Sequence, residues 1–203
     1  MLKVSNLSVA RGGVSLLQDV TFEVQAGQAL VLRGPNGIGK TSLLRCISGL
    51  QTPTSGEISA PESVAYAAHA DGLKGQLSVL ENLKFWADIY GGRGPEAALL
   101  AYDLEDLAQR PTANLSAGQK RRLGLARMLV TGCALWVMDE PTVSLDVQNV
   151  TKFHTVLQAH LQAGGGAVLT THIDLELSVE SLDLTGYIAT AQSPSSAFEE
   201  ALE

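Results

Sequence analysis

Long apolar runs are missing from this chain of 203 residues: nothing approaches the ~18 consecutive apolar residues of a membrane span, and Met1-Leu2-Lys3-Val4 opens no secretory pattern. The expectation is a soluble, cytoplasmic protein. Cysteine is scarce. Cys46 and Cys133 lie too far apart for a CxxC pair, and each is embedded in apolar sequence, so both are expected to be buried free thiols. Positive charge is in deficit: 14 Lys and Arg against 21 Asp and Glu leave a net charge of −7, whereas a nucleic-acid partner calls for a basic face. Internal repeats and low-complexity tracts are absent as well. With 45% hydrophobic residues, the length suits one well-buried domain and makes two full domains a poor fit.

What is present begins with Gly34-Pro35-Asn36-Gly37-Ile38-Gly39-Lys40-Thr41, which fits G-x-x-x-x-G-K-[ST] and runs on into Ser42. Apolar Ala29-Leu30-Val31-Leu32 precedes it as a short buried strand. Thr41 to Leu50 follows as a helix with Leu43, Leu44, Ile47 and Leu50 on one face. Glycines let such a loop curl its N–H groups onto phosphates, and the helix adds the positive end of its dipole. Lys40 is expected to reach the β- and γ-phosphates, and the Thr41 hydroxyl to ligate Mg²⁺.

A second constellation narrows the chemistry. Leu135-Trp136-Val137-Met138 is an apolar run ending in Asp139-Glu140, the pattern of a central parallel strand with acids at its carboxyl end. Asp139 is placed to hold Mg²⁺, and Glu140, one residue further out, to orient an attacking water and accept its proton. Between the two motifs lies Leu115-Ser116-Ala117-Gly118-Gln119, followed by a helical run with Leu123, Ala126 and Val130 on one face. Alone, Ser116 reads as an ordinary N-cap. His154 and His160 fall in a helix without acidic or Cys partners at ligand spacing and read as surface or packing residues.

In company the motifs say more. LSAGQ resembles the LSGGQ signature of ATP-binding cassette (ABC) ATPases, and the P-loop, Asp139-Glu140 and Thr171-His172 complete that family's set. The resemblance implies an α/β P-loop fold with a mixed central sheet, an antiparallel flap near the N-terminus and a helical subdomain at about 71–130. It implies a single ATPase domain over 1–184, with 185–203 a tail of unknown role. It also implies a head-to-tail homodimer enclosing two Mg-ATP, in which Leu115 to Gln119 face the nucleotide of the opposite protomer. Asp146 matches the loop crossing that interface, although Val143 stands where the family usually has Ser. His172 resembles the switch histidine that contacts the γ-phosphate. His69 occupies the place of the glutamine that couples to the membrane subunits, and Arg11 that of the aromatic that stacks on adenine, a role a guanidinium can fill.

Further stretches are similar to the ATP-binding subunit of the cytochrome c maturation system, the heme exporter: His69 to Lys74, Leu77 to Trp86, Leu115 to Arg122, Leu135 to Pro141 and Val168 to His172. This resemblance implies a peripheral ATPase on the cytoplasmic face of the inner membrane, bound to integral membrane subunits and driving heme export or release of a heme-loaded chaperone. No heme site is evident in the chain itself, since neither Cys stands in a CxxCH pattern. The alternatives are the ATPase of another small exporter, which shares all the catalytic motifs, and a soluble non-transport ABC ATPase. The acidic charge and the short separation of Lys40 from Ser116 speak against the second. Two local expectations complete the reading: a trimmed antiparallel hairpin between Pro53 and Tyr66, and a strand at Tyr187-Ile188-Ala189.

Overall fold

The computed structural model describes residues 1–68, 72–173, 175 and 179–189. His69, expected to couple to membrane subunits, lies outside the described residues, as does the tail from 190 onward. In chain order the elements are β1 (Leu2–Arg11), β2 (Val14–Val24), β3 (Ala29–Arg33), α1 (Lys40–Ile47), β4 (Ser55–Ser59), β5 (Val64–Ala67), α2 (Val79–Tyr90), α3 (Glu96–Ala101), α4 (Ala117–Val130), β6 (Leu135–Met138), α5 (Val147–Gln162), β7 (Gly166–Thr170) and β8 (Glu180–Asp183). Short 3₁₀ turns stand at Glu105–Leu107, Thr112–Asn114 and Leu184–Tyr187.

Parallel strands dominate one sheet, in the order β5-β6-β7-β3-β8, while β2-β1-β4 forms a separate antiparallel flap. Every residue of β6 and β7 is buried, as unbroken apolar strands covered on both faces should be. β1 and β2 are joined by Gly12-Gly13, both at positive φ (57° and 81°), the conformation that a two-residue hairpin turn of matching twist requires. One apolar cluster packs the flap on α1 and the β3-side sheet face; a second packs α2 to α5 on the opposite face. The carboxyl ends of β3, β6 and β7 converge, and that edge carries the motifs.

Three local expectations are corrected. The segment from Pro53 to Tyr66 is not a hairpin: β4 pairs with β1 in the flap, whereas β5 joins β6 in the parallel sheet. Pro61 in the link has no N–H to offer a ladder, and β5 lies parallel to β6, where Ala65 and Ala67 are buried in the cluster that the helices cover. Leu50 is not on the α1 face. The helix stops at Ile47 in a Schellman closure, Gly49 N–H donating to Cys46 O and Leu50 N–H to Arg45 O, with Gly49 at φ 70°, which leaves Leu50 56% exposed. Tyr187 ends a 3₁₀ turn, and Ile188 makes only an isolated antiparallel bridge to Leu17. Both thiols, by contrast, are buried, and burial pushes Cys46 up to about 11.

Candidate nucleotide-binding site

The P-loop runs from the end of β3 to the start of α1. Gly34 (φ 141°), Gly37 (φ 83°) and Gly39 (φ 119°) all take the left-handed region, which turns the backbone back on itself. A Cβ at Gly39 would come 3.1 Å from Leu16 and 3.2 Å from Leu17 of β2, so glycine is also what lets the flap close over the loop. Pro35, Asn36 and Gly37 are exposed, while Ile38 and Ser42 are buried and anchor the loop from below. Lys40 Nζ donates to the carbonyls of Gly34 (2.7 Å) and Pro35 (3.1 Å), so its ammonium lies across the mouth of the loop, where an anion would compete for it.

Beneath the loop, β6 delivers the acids. Thr41 Oγ1 donates to Asp139 Oδ2 at 2.7 Å, and Thr170 Oγ1, at the end of β7, donates to Asp139 Oδ1 at 2.8 Å. The same Thr170 oxygen accepts the Glu140 N–H at 2.9 Å, tying the two neighbouring strands together at the catalytic edge. Glu140 itself is held at φ 50°, a left-handed conformation unusual for a side chain of its length. Its carboxylate meets His172 Nε2 at 3.2 Å, the imidazole being largely exposed. Thr142 and Thr171 share a hydroxyl hydrogen bond of 3.2 Å, and Arg33 Nη1 donates to Thr171 O at 2.7 Å, which fixes the segment before His172. Burial first, and the Asp139 charge second, push the Tyr66 phenol up to about 12.

The oxygen donors of Thr41 and Asp139 suit a hard divalent cation shared with phosphates, because Mg²⁺ is ordinarily held by one or two protein oxygens plus substrate and water. No group of three or more His, Cys, Asp or Glu able to hold a metal occurs among the described residues.

The signature segment opens α4. Ser116 caps the helix with a reciprocal box: its hydroxyl accepts Gln119 N–H, and Gln119 Oε1 accepts Ser116 N–H. Leu115 is buried beneath, while Ser116 and Ala117 are exposed. Gly118 packs toward the Ser144 carbonyl, 3.7 Å from where its Cβ would stand, so the signature adjoins the loop that carries Asp146. Asp146 caps α5, accepting Asn149 N–H at 2.9 Å, a local duty that the sequence reading did not assign. Arg11 is exposed at the end of β1, beside the Gly12-Gly13 turn. Thr170, Arg33, Arg121 and Thr142 are among the polar groups of the site that the sequence did not reveal. Arg121, 5% exposed, reaches from α4 to the main chain at Glu140.

Residues 17–143 match the ABC transporter family. The chain belongs to that family. The cytochrome c biogenesis ATP-binding export protein CcmA of Paracoccus denitrificans is 56% identical, the alignment covering 99% of this chain and 98% of that protein. Its counterpart in Cereibacter sphaeroides is 60% identical over 93% and 90% of the two chains. Among solved structures, an ABC transporter ATP-binding protein from Pyrococcus furiosus superposes with a TM-score of 0.82 at 26% identity, covering 93% of this chain and 99% of that one. A dimeric ATP-binding cassette in a post-hydrolysis state, bound to ADP and phosphate, shares the fold with a TM-score of 0.76 at 24% identity, over 85% and 88% of the chains.

Proposed function

We propose that this ABC-family chain is the ATP-hydrolysing subunit of a membrane exporter that serves cytochrome c maturation, moving heme or releasing a heme-loaded chaperone. The observation that carries the enzymatic part is the unbroken set of contacts Thr41–Asp139–Thr170–Glu140–His172 beneath a P-loop. The pathway rests on the high, near full-length identity to the cytochrome c biogenesis ATP-binding export proteins. Among the described residues no helix is long and apolar enough to cross a membrane. On the likeness to the ATP-binding export proteins we assign the membrane spans to partner subunits and this chain to their cytoplasmic face. We assign one ATPase domain to 1–184, with the helical subdomain at about 71–130.

In the mechanism, the P-loop N–H groups and Lys40 bind the phosphates of ATP. Thr41 and Asp139 would hold Mg²⁺, which supplies charge neutralisation of the phosphate oxygens. Glu140 orients a water and takes one of its protons as the water oxygen bonds to the γ-phosphorus and the bond to the bridging oxygen breaks, giving ADP and phosphate. His172, already against the Glu140 carboxylate, steadies that base and turns to the γ-phosphate in the loaded state. The exposed N-terminus of α4, with Ser116 at its head, is assigned to the nucleotide of a second protomer, whose charge its dipole favours.

The test is to trap the Glu140→Gln variant with Mg-ATP in native membranes and identify the chains that co-purify. Membrane subunits of cytochrome c maturation together with the heme chaperone are expected. An unrelated permease would overturn the pathway and leave the ATPase, whereas a Gln variant that hydrolyses ATP normally would overturn the role of Glu140.

A further inference from the structure

Arg121 is buried within α4, two positions beyond Gln119 of the signature, yet its guanidinium points to the opposite end of the site's machinery. Nη2 donates to Glu140 O at 2.5 Å, Nε to Pro141 O at 3.1 Å, and Nη1 to Ala68 O at 3.1 Å, with Asp139 O a further 3.4 Å from Nη2. One planar fork thus spans the main-chain carbonyls of three consecutive residues, Asp139, Glu140 and Pro141, and the end of the segment that leaves β5. Glu140 is the residue in that run with a left-handed backbone. A non-glycine residue keeps such a conformation only when its surroundings over-determine it. Here two groups do so, Thr170 accepting the Glu140 N–H and Arg121 gripping the Glu140 C=O.

We propose that Arg121 is a positioning residue for Glu140: its guanidinium clamps the left-handed Glu140 peptide and fastens it to the signature helix, so that a shift of α4 is felt at the base. The inference rests on the reading of Glu140 as the base and deepens it. Because α4 presents Ser116 to one nucleotide while Arg121 holds the Glu140 that serves another, the clamp is a mechanical link between the two sites of the proposed dimer. A Lys at 121 keeps the charge but has a single nitrogen where the planar fork reaches Pro141 O, Ala68 O and Glu140 O from three separate ones.

The experiment uses the full chain and four proteins: wild type, Arg121→Lys, Glu140→Gln and the double variant. Arg121→Lys is expected to retain Mg-ATP affinity and KM within about twofold and to lose kcat on the order of 10²-fold, the cost of a base misplaced by about 1 Å. In the Glu140→Gln background the same change is expected to cost nothing further, because there is no base left to misplace. Full turnover in Arg121→Lys overturns the proposal, and so does an equal loss in both backgrounds, which would mark a general packing role. Glu140→Gln at wild-type rate would instead sink the base assignment itself, a separable failure. If the Lys variant does not fold, Arg121→Gln, which keeps one donating amide, is measured in the same cycle with the same outcomes. The Hill coefficient of hydrolysis reads the link: a value above 1 in wild type should fall to 1 in Arg121→Lys, and an unchanged value overturns the coupling.

Discussion

Thr41 and Asp139, 98 residues apart in the sequence, are joined by a 2.7 Å hydrogen bond that fastens the first turn of α1 to the end of β6. That bond brings a hydroxyl and a carboxylate to one point at the floor of the P-loop. The other carboxylate oxygen is engaged by Thr170, so both faces of Asp139 are committed in a group only 5% exposed.

Replacing Asp139 with Asn leaves one acceptor where two threonine hydroxyls now donate, and removes the charge that would hold Mg²⁺. The expected outcome is a loss of about 3–4 kcal/mol in transition-state stabilisation, on the order of 10²–10³ in kcat. Nucleotide binding measured in EDTA should change little, because Lys40 and the loop amides are untouched. Titration of a fluorescent ATP analogue with and without Mg²⁺ separates the two effects.

His172→Ala removes the group 3.2 Å from the Glu140 carboxylate. Turnover is expected to fall on the order of 10²-fold at nearly constant KM, as for loss of one group that orients a base. Steady-state hydrolysis of ATP measures both constants, and a raised KM with normal kcat would place His172 in binding alone.

Much of this site could be read along the chain because its parts are local. The strand, loop and helix around Lys40 follow one another within a short stretch, and the Ser116 capping box is a spacing rule. What stayed hidden is non-local or conformational. Thr170 looks like one more strand residue until β7 is set beside β6, and nothing in the spacing of Arg121 tells that it turns inward to carbonyls. The link from β4 to β5 reads as a hairpin for a related reason: two short strands close in sequence resemble one, yet β5 pairs with β6 and buries its alanines in the cluster under the helices. Leu50 continues the helical period of α1 in sequence, but Gly49 ends the helix before that period can be used.

His160 gives a pH prediction. Its ring stacks on Trp136 at 3.8 Å and 7°, its Nε2 meets Gly166 O at 3.2 Å, and burial holds its pKa below the usual histidine value. Gly165 is required there, since a Cβ would stand 2.3 Å from the imidazole. The unfolded chain therefore binds a proton more readily than the native state between the depressed pKa and ~6.5. The contribution is fully present above ~6.5 and is lost as pH falls through the native pKa. Wild-type Tm should drop on acidification below ~6.5 by more than that of His160→Phe, which keeps the stack but does not titrate. Differential scanning fluorimetry across that range decides it, and parallel curves would remove His160 from the pH response.

Asn82 offers the sharpest test of what holds the helical segment to the loop before it. It is fully buried on α2. Its Oδ1 accepts Lys74 N–H at 2.9 Å, and its amide nitrogen lies within hydrogen-bond reach of Thr112 Oγ1 (2.8 Å), Ser78 O (3.0 Å), Lys74 O (3.1 Å) and Leu77 O (3.2 Å). The side chain thus organises the turn entering α2 and the Thr112–Asn114 turn at once. Asn82→Ala should destabilise the protein by about 2–4 kcal/mol, since it strands several buried polar groups as well as opening space. Asn82→Leu separates these causes: it refills the volume without restoring a single partner. Equal losses in the two variants, read from urea midpoints at unchanged m-value, are expected if the hydrogen bonds dominate. Recovery in the Leu variant would show instead that the site needs bulk rather than polarity, and that the Lys74 and Thr112 groups find other partners or water when Asn82 is gone.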